Sequence, residues 1–165
     1  MLIKFTFLQT PLNRYTFKSK KIKEWVENHV EGYVLNLFAG EVKLNCYELR
    51  NDININMPAH YHRDALEFCK FYMGVNGIKF NTILLDPPYS YRKSMEMYEG
   101  RVMSPFNALK DEICKIISPN GIVITFGYCS VSMGKKRGFN VEHILIMSHG
   151  GAIHDTIATI ERLTF

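Results

Sequence analysis

The stretch Phe80-Asn81-Thr82-Ile83-Leu84-Leu85-Asp86-Pro87-Pro88-Tyr89 constrains this chain more than any other. Its apolar run, Ile83-Leu84-Leu85, reads as a strand buried on both faces, the habit of a parallel sheet with cover on either side. The strand stops at a carboxylate and two prolines. Around it the spacing predicts helices over 19–30, 65–73 and 105–117 and strands over 33–38, 46–51, 60–63 and 122–128. A final pair over 141–148 and 155–163 is joined through Gly150-Gly151, and the turn signal Pro119-Asn120-Gly121 precedes the fifth strand. Such strand–helix–strand alternation predicts an open α/β sheet. At the start, Ile3, Phe5 and Phe7 alternate as a strand or a packed arm does.

The tip of the fourth strand carries the chemistry. In open α/β sheets the active crevice lies beyond the carboxyl ends of the strands. Neither proline has an N–H, and the residue before a proline is held extended. The Asp86 carboxylate and the Pro87 carbonyl are therefore presented as acceptors, with the flat face of Tyr89 beside them. That set suits a planar heterocycle carrying an exocyclic amine. Two acceptors on its N–H bonds favour the charge that builds as the nitrogen attacks an electrophile. Stacking on Tyr89 would align the ring, and Asp86 or water would take the departing proton.

Asp86-Pro87-Pro88-Tyr89 resembles the catalytic motif of S-adenosyl-L-methionine-dependent amino-methyltransferases that modify adenine N6 or cytosine N4. Asn36-Leu37-Phe38-Ala39-Gly40 is similar to the family's first motif, at the turn that meets the methionine part of the cofactor. Asp52 stands where the family's acid binds the ribose hydroxyls, and Asp64-Ala65 resembles its adenine-contacting position. Tyr15 and Phe17 stand where the family closes a segment over the cofactor. The resemblance spans roughly residues 10 to 165. It implies a Rossmann-like class I methyltransferase with an open, mostly parallel seven-stranded sheet, reduced helices and a C-terminal antiparallel hairpin. It also implies the cofactor S-adenosyl-L-methionine, with Asn36, Phe38, Ala39, Gly40, Asp52, Asp64, Ala65, Asp86, Tyr15 and Phe17 around it.

Two features depart from the family. Asp52 follows Gly40 by only twelve positions, which leaves no room for a crossover helix. One face of that part of the sheet then needs cover from helix 19–30, from a second copy or from a partner subunit. No stretch is left over for a separate target-recognition domain. The expected acceptor is a nucleic-acid base amine, first adenine N6 in DNA. The alternatives are a ribosomal or transfer RNA base and a non-catalytic partner subunit with the same fold. A protein glutamine methyltransferase fits less well, since such enzymes usually have Asn where Asp86 stands. Basic loops carrying Arg92, Lys93 and Arg101, and Lys135, Lys136 and Arg137, follow strand tips and are expected near the crevice as phosphate contacts.

Composition narrows the rest. With 165 residues, 47% hydrophobic and 22% charged, one globular domain over 1–165 is expected, not a disordered chain. No apolar run is long enough to cross a bilayer, so no membrane partner is expected. Met1 to Leu8 lacks the form of a signal peptide. Four cysteines without a C-x-x-C pair predict a reduced, cytoplasmic protein with buried thiols. His60-x-His62, His149 and His154-Asp155 lack metal-ligand spacing, and no metal is expected. The net charge of +4 permits an acidic partner without demanding one.

Overall fold

The computed structural model describes residues 2–75, 77–87, 105–151 and 153–164. In chain order the elements are β1 (Lys4–Gln9), α1 (Lys20–Glu27), β2 (Val34–Asn36), β3 (Glu48–Arg50), α2 (Ala65–Val75), β4 (Phe80–Leu85), α3 (Pro105–Ile116), β5 (Ile117–Gly127), β6 (Phe139–Ser148) and β7 (Thr156–Leu163). Single 3-10 turns occupy Thr16–Lys18 and Lys135–Arg137. One seven-stranded sheet runs in the order β1-β6-β7-β5-β4-β2-β3. β2–β3, β2–β4, β4–β5 and β1–β6 are parallel; β7 is antiparallel to both β5 and β6.

Alternation along the strands splits the core into two layers. Leu35, Ile83, Leu85 and Val123 face α2 and α3, and pack on Phe68, Cys69, Leu109, Ile113 and Ile116. Val34, Leu84, Ile122, Ile124, Phe126, Leu145 and Ala158 face α1. The α1 helix starts at Ser19, whose hydroxyl accepts from the Ile22 amide at 3.5 Å, and it buries Ile22, Trp25 and Val26. Each of those side chains contributes roughly 1.5–3 kcal/mol by leaving water. The helix 19–30 thus supplies the cover that the short link after Gly40 demanded.

Three sequence expectations shift. The strand over 46–51 shortens to β3, and the one over 60–63 reduces to a single parallel bridge, Asn51 to Tyr61. Here the strand gives way because the Arg50 carbonyl accepts from both the His60 and Tyr61 amides, at 2.9 and 3.2 Å. The turn at Pro119-Asn120-Gly121 is a bulge inside β5 rather than its boundary: Phe80 pairs with Ile117, and Thr82 next with Ile122. Asn120 takes the left-handed φ of 60° that this detour needs. Of the four cysteines only Cys69 is fully buried, its thiol pushed up to about 12 by desolvation, while Cys129 is exposed. No helix among the described residues is long and apolar enough to cross a membrane.

Candidate active site

The carboxyl ends of β2, β3 and β4 open into one cavity of about 860 Å³. Its wall includes Phe38, Ala39 and Gly40 after β2, Asp52 after β3, Asp64 and Ala65 at the head of α2, and Asp86 and Pro87 after β4. Tyr15 and Phe17 close the side nearest α1. Residues as far apart in the sequence as Tyr15 and Pro87 are thereby brought together. Pro88, Tyr89, Arg92, Lys93 and Arg101 lie outside the described residues.

The glycine turn is held by the neighbouring strand. Gly40 has a left-handed φ of 60°, and its amide donates to Asp52 Oδ2 at 2.8 Å. The other oxygen, Oδ1, accepts from the Asn54 amide at 2.8 Å. A carboxylate oxygen can accept more than one bond, so Asp52 keeps acceptor capacity for the hydroxyls of a ribose. Asp64 Oδ1 accepts from the Leu66 and Glu67 amides at 2.9 and 3.2 Å, which makes it the N-cap of α2 as well as part of the wall. Tyr15 comes down on the glycine turn: a methyl group at Gly40 would lie 3.5 Å from its ring. Lys18 reinforces that closure with an ion pair to Glu41 at 2.9 Å. Phe17 is both wall and core, 4% exposed, with its ring edge-on to Phe126 at 5.6 Å.

Two residues that the sequence did not single out build the link between Gly40 and Asp52. Arg50 is 2% exposed, and its guanidinium donates to the carbonyls of Ala39, Gly40, Val42 and Pro58 and to Glu48 Oε1, all between 2.7 and 3.1 Å. The five N–H groups of a guanidinium are all used. Asn51 is fully buried; its amide nitrogen donates to the Leu37 and Arg63 carbonyls, and its amide oxygen accepts from the Arg63 amide. Together these side chains do what a crossover helix does elsewhere. Only the alternation at the end of β3, a cation and an amide where apolar residues belong, hints at them.

Some expected site residues stand elsewhere. Asn36 is fully buried within the sheet and donates to Glu48 Oε2 at 3.3 Å, below the cavity rather than on its wall. Lys135, Lys136 and Arg137 do not line the cavity. The chain after Tyr128 crosses the sheet because buried Glu161 accepts from the Ser132, Met133 and Gly134 amides at 2.8–2.9 Å. The basic turn therefore reaches the start of β6, where Phe139 pairs with Leu163, whereas the cavity meets β7 at Thr156, its other end. That separation is roughly 25 Å along eight strand residues. Arg137 is occupied there by Asp111 at 2.8 Å.

The cavity also takes in Tyr128 after β5 and Ile153 and His154 before β7. The rule that sites gather at strand tips, applied to the fifth strand and to the last link, reaches all three. His60 Nδ1 accepts from the Arg50 amide at 2.9 Å, and His62 Nδ1 meets the Asp52 and Asn54 carbonyls at 3.1 Å, so both rings serve the loop. No metal-binding cluster is found among the described residues.

No protein-family model matches the sequence, and no curated protein matches it. Solved structures match the fold. TrmN from Thermus thermophilus superposes with a TM-score of 0.61 at 13% identity, over 88% of this chain and 49% of that one. The chain thus spans about half the length of TrmN. The N-methyltransferase NodS from Bradyrhizobium japonicum WM9 gives 0.57 at 13% identity, over 93% of this chain and 100% of that one. A Burkholderia thailandensis 1,6-didemethyltoxoflavin-N1-methyltransferase, solved with 1,6-didemethyltoxoflavin and S-adenosylhomocysteine, gives 0.62 at 10% identity, over 87% and 76%. The fold is that of the Rossmann-like methyltransferases.

Proposed function

We propose that this chain transfers a methyl group from S-adenosyl-L-methionine to an exocyclic amine of a nucleic-acid base, adenine N6 in DNA being the first candidate. One observation carries the reading: the Gly40 turn, Asp52, Asp64 and Asp86-Pro87 border a single cavity, each at a strand tip or a helix head. Its volume, about 860 Å³, suits a nucleoside cofactor together with a second planar reactant.

The residues present fit that cofactor. Asp52 has acceptor capacity for ribose hydroxyls, and Asp64 and Ala65 stand at the adenine end. Phe38 and the Gly40 turn would meet the methionine part, with Tyr15 and Phe17 closing over it. The cofactor, when bound, supplies an electrophilic methyl group on a sulfonium, which acidic and aromatic neighbours favour. Asp86 and the Pro87 carbonyl accept the two N–H bonds of the amine, hold its lone pair toward the methyl group and favour the positive charge that grows on nitrogen. Asp86 or water then receives the proton. Pro88 keeps the loop from offering a competing N–H, and Tyr89 stacks the base.

A second reading is methylation of an RNA base, adenine N6 or cytosine N4, or of a free heterocyclic amine. It is favoured by the distance of Lys135, Lys136 and Arg137 from the cavity, which leaves the duplex one basic surface fewer than the sequence suggested. The Burkholderia thailandensis neighbour is a 1,6-didemethyltoxoflavin-N1-methyltransferase, solved with 1,6-didemethyltoxoflavin bound. A non-catalytic partner subunit would keep the fold without turnover.

Tritiated methyl transfer to DNA, ribosomal RNA, transfer RNA, protein and small heterocyclic amines separates these readings. Label is expected in a base amine, and Asp86→Ala is expected to lower it at least ~100-fold while the fold persists. Label in protein, or full activity in Asp86→Ala, would overturn the mechanism. Calorimetry without any heat of cofactor binding would leave the partner-subunit reading.

A further inference from the structure

We infer that β1 is the contact through which two copies of this chain pair their sheets edge to edge. β1 ends the strand order, so its outer edge has no strand partner among the described residues. Phe5 and Phe7 are 67% and 60% exposed, Ile3 is 40% and Leu2 is 93%. The two rings share one face of the sheet, Phe5 beside Ile144 and Phe7 beside Ile146. Thr6 turns to the other face, where it meets His143 at 2.7 Å near Trp25 of α1. An edge strand facing water is normally blunted by charges, proline or a bulge. β1 carries one charge, Lys4, and no proline, and its six residues pair with β6 without a break.

The occupant follows from the strand's fit to itself. In an antiparallel pairing centred on Thr6, Phe5 faces Phe7 of the second copy and Phe7 faces its Phe5. Ring meets ring on one face, and Lys4 meets Leu8 on the other. No like charges oppose each other, and the side-chain alternation stays in phase. The two rings expose roughly 250 Å² per copy if a phenylalanine presents about 200 Å². Leu2, Ile3 and a backbone edge of about 20 Å extend the contact toward the ~600 Å² per partner at the low end of specific interfaces.

Pairing around a two-fold axis makes one continuous sheet with the two cavities at opposite ends. It also bears on the site, because β1 passes through Thr10, whose amide donates to the Ser148 carbonyl at 3.0 Å, into the segment from Leu12 to Phe17 that walls the cavity. Anchoring β1 steadies that wall, whatever substrate the cavity takes.

Sedimentation equilibrium of the full chain, from about 1 to about 100 µM, spans the range where a contact of this size dissociates. The mass is expected to rise from 19.1 kDa toward twice that value. Phe5→Lys combined with Phe7→Lys is expected to weaken association at least ~100-fold, since it places like charges across the pairing. Hydrogen exchange gives a readout that needs no variant: those amides of residues 4–9 that point away from β6 gain protection as concentration rises. A 19.1 kDa species at every concentration, association unchanged in the double variant, or exchange in β1 independent of concentration would each overturn the proposal.

Discussion

The two flanks of β4 are built on opposite principles. Toward β5 the sheet is apolar: Leu84 and Ile124, and Ile83 and Val123, pair side by side and sink into layers covered by α1 and by α2 and α3. Toward β3 the link is too short for a helix, and buried polar groups take over, with Arg50, Glu48, Asn51 and Asn36 gripping backbone carbonyls and one another. Packing of the first kind tolerates small changes because apolar contacts are many and individually weak. A network of the second kind is all or nothing, since one removed partner leaves buried groups unsatisfied. The cavity sits where the two meet, so the expected cofactor end rests on the brittle flank and the acceptor end on the apolar one.

The largest break in that contrast is expected at Arg50. Arg50→Met leaves Glu48 buried beside four unpaired carbonyls and should cost about 3–5 kcal/mol in urea unfolding. Pairing it with Glu48→Leu removes the lone charge but not the orphaned carbonyls. The double variant should therefore stay at least ~2 kcal/mol less stable than the native chain. Full recovery in the double variant would show that the ion pair alone matters, and that the carbonyl clamp does not.

On the apolar flank, Ile83→Val deletes one methylene from a fully buried strand residue and is expected to cost about 0.5–1.5 kcal/mol. Cofactor affinity by calorimetry should hardly move. A loss of stability as large as that in Arg50→Met would erase the distinction between the flanks.

Asp64 belongs to both regions, as helix cap and as cavity wall, and can be divided. Asp64→Ala should lower stability by about 1 kcal/mol through the lost cap. Asp64→Ser keeps a capping oxygen, so stability should be retained while cofactor binding falls. Equal binding by Asp64→Ser and the native chain would leave the carboxylate with a capping role only.

The smallest effect concerns His143, far from both flanks. Burial, then His29 and Lys4, hold its pKa below the ordinary histidine value. The fold therefore prefers the neutral ring, which lies within 5.3 Å of the Trp25 and His29 rings and next to Thr6. Stability from this site is complete above about pH 6.5 and declines as pH falls below that unfolded value. Thermal melts at pH 7.5 and 5.5 should show the decline, and His143→Gln should flatten it.

Sequence reading reached the parts whose causes are local. The boundaries of β4 and the head of α3 were legible because an apolar run and a proline each act on their own neighbours. Asp86, Asp52 and the Gly40 turn were legible because a strand's carboxyl end is marked by where its apolar run stops. Arg50 and Asn51 were not, because the carbonyls they hold lie 8 to 14 positions away in segments without periodicity. Position misled as well: Lys135, Lys136 and Arg137 follow a strand tip in sequence, yet Glu161, some twenty-five residues later, draws the preceding segment across the sheet.

By itself, then, the sequence determined that a mostly parallel α/β sheet would form and that Asp86 and Pro87 would stand at the end of its fourth strand. Burial periodicity and the geometry of proline are properties of a few adjacent residues. Tertiary structure alone decided how a link without a helix could be closed, which residues share the cavity and which edge of the sheet is left open. Those outcomes depend on hydrogen bonds between distant segments, which have no signature until the chain has folded.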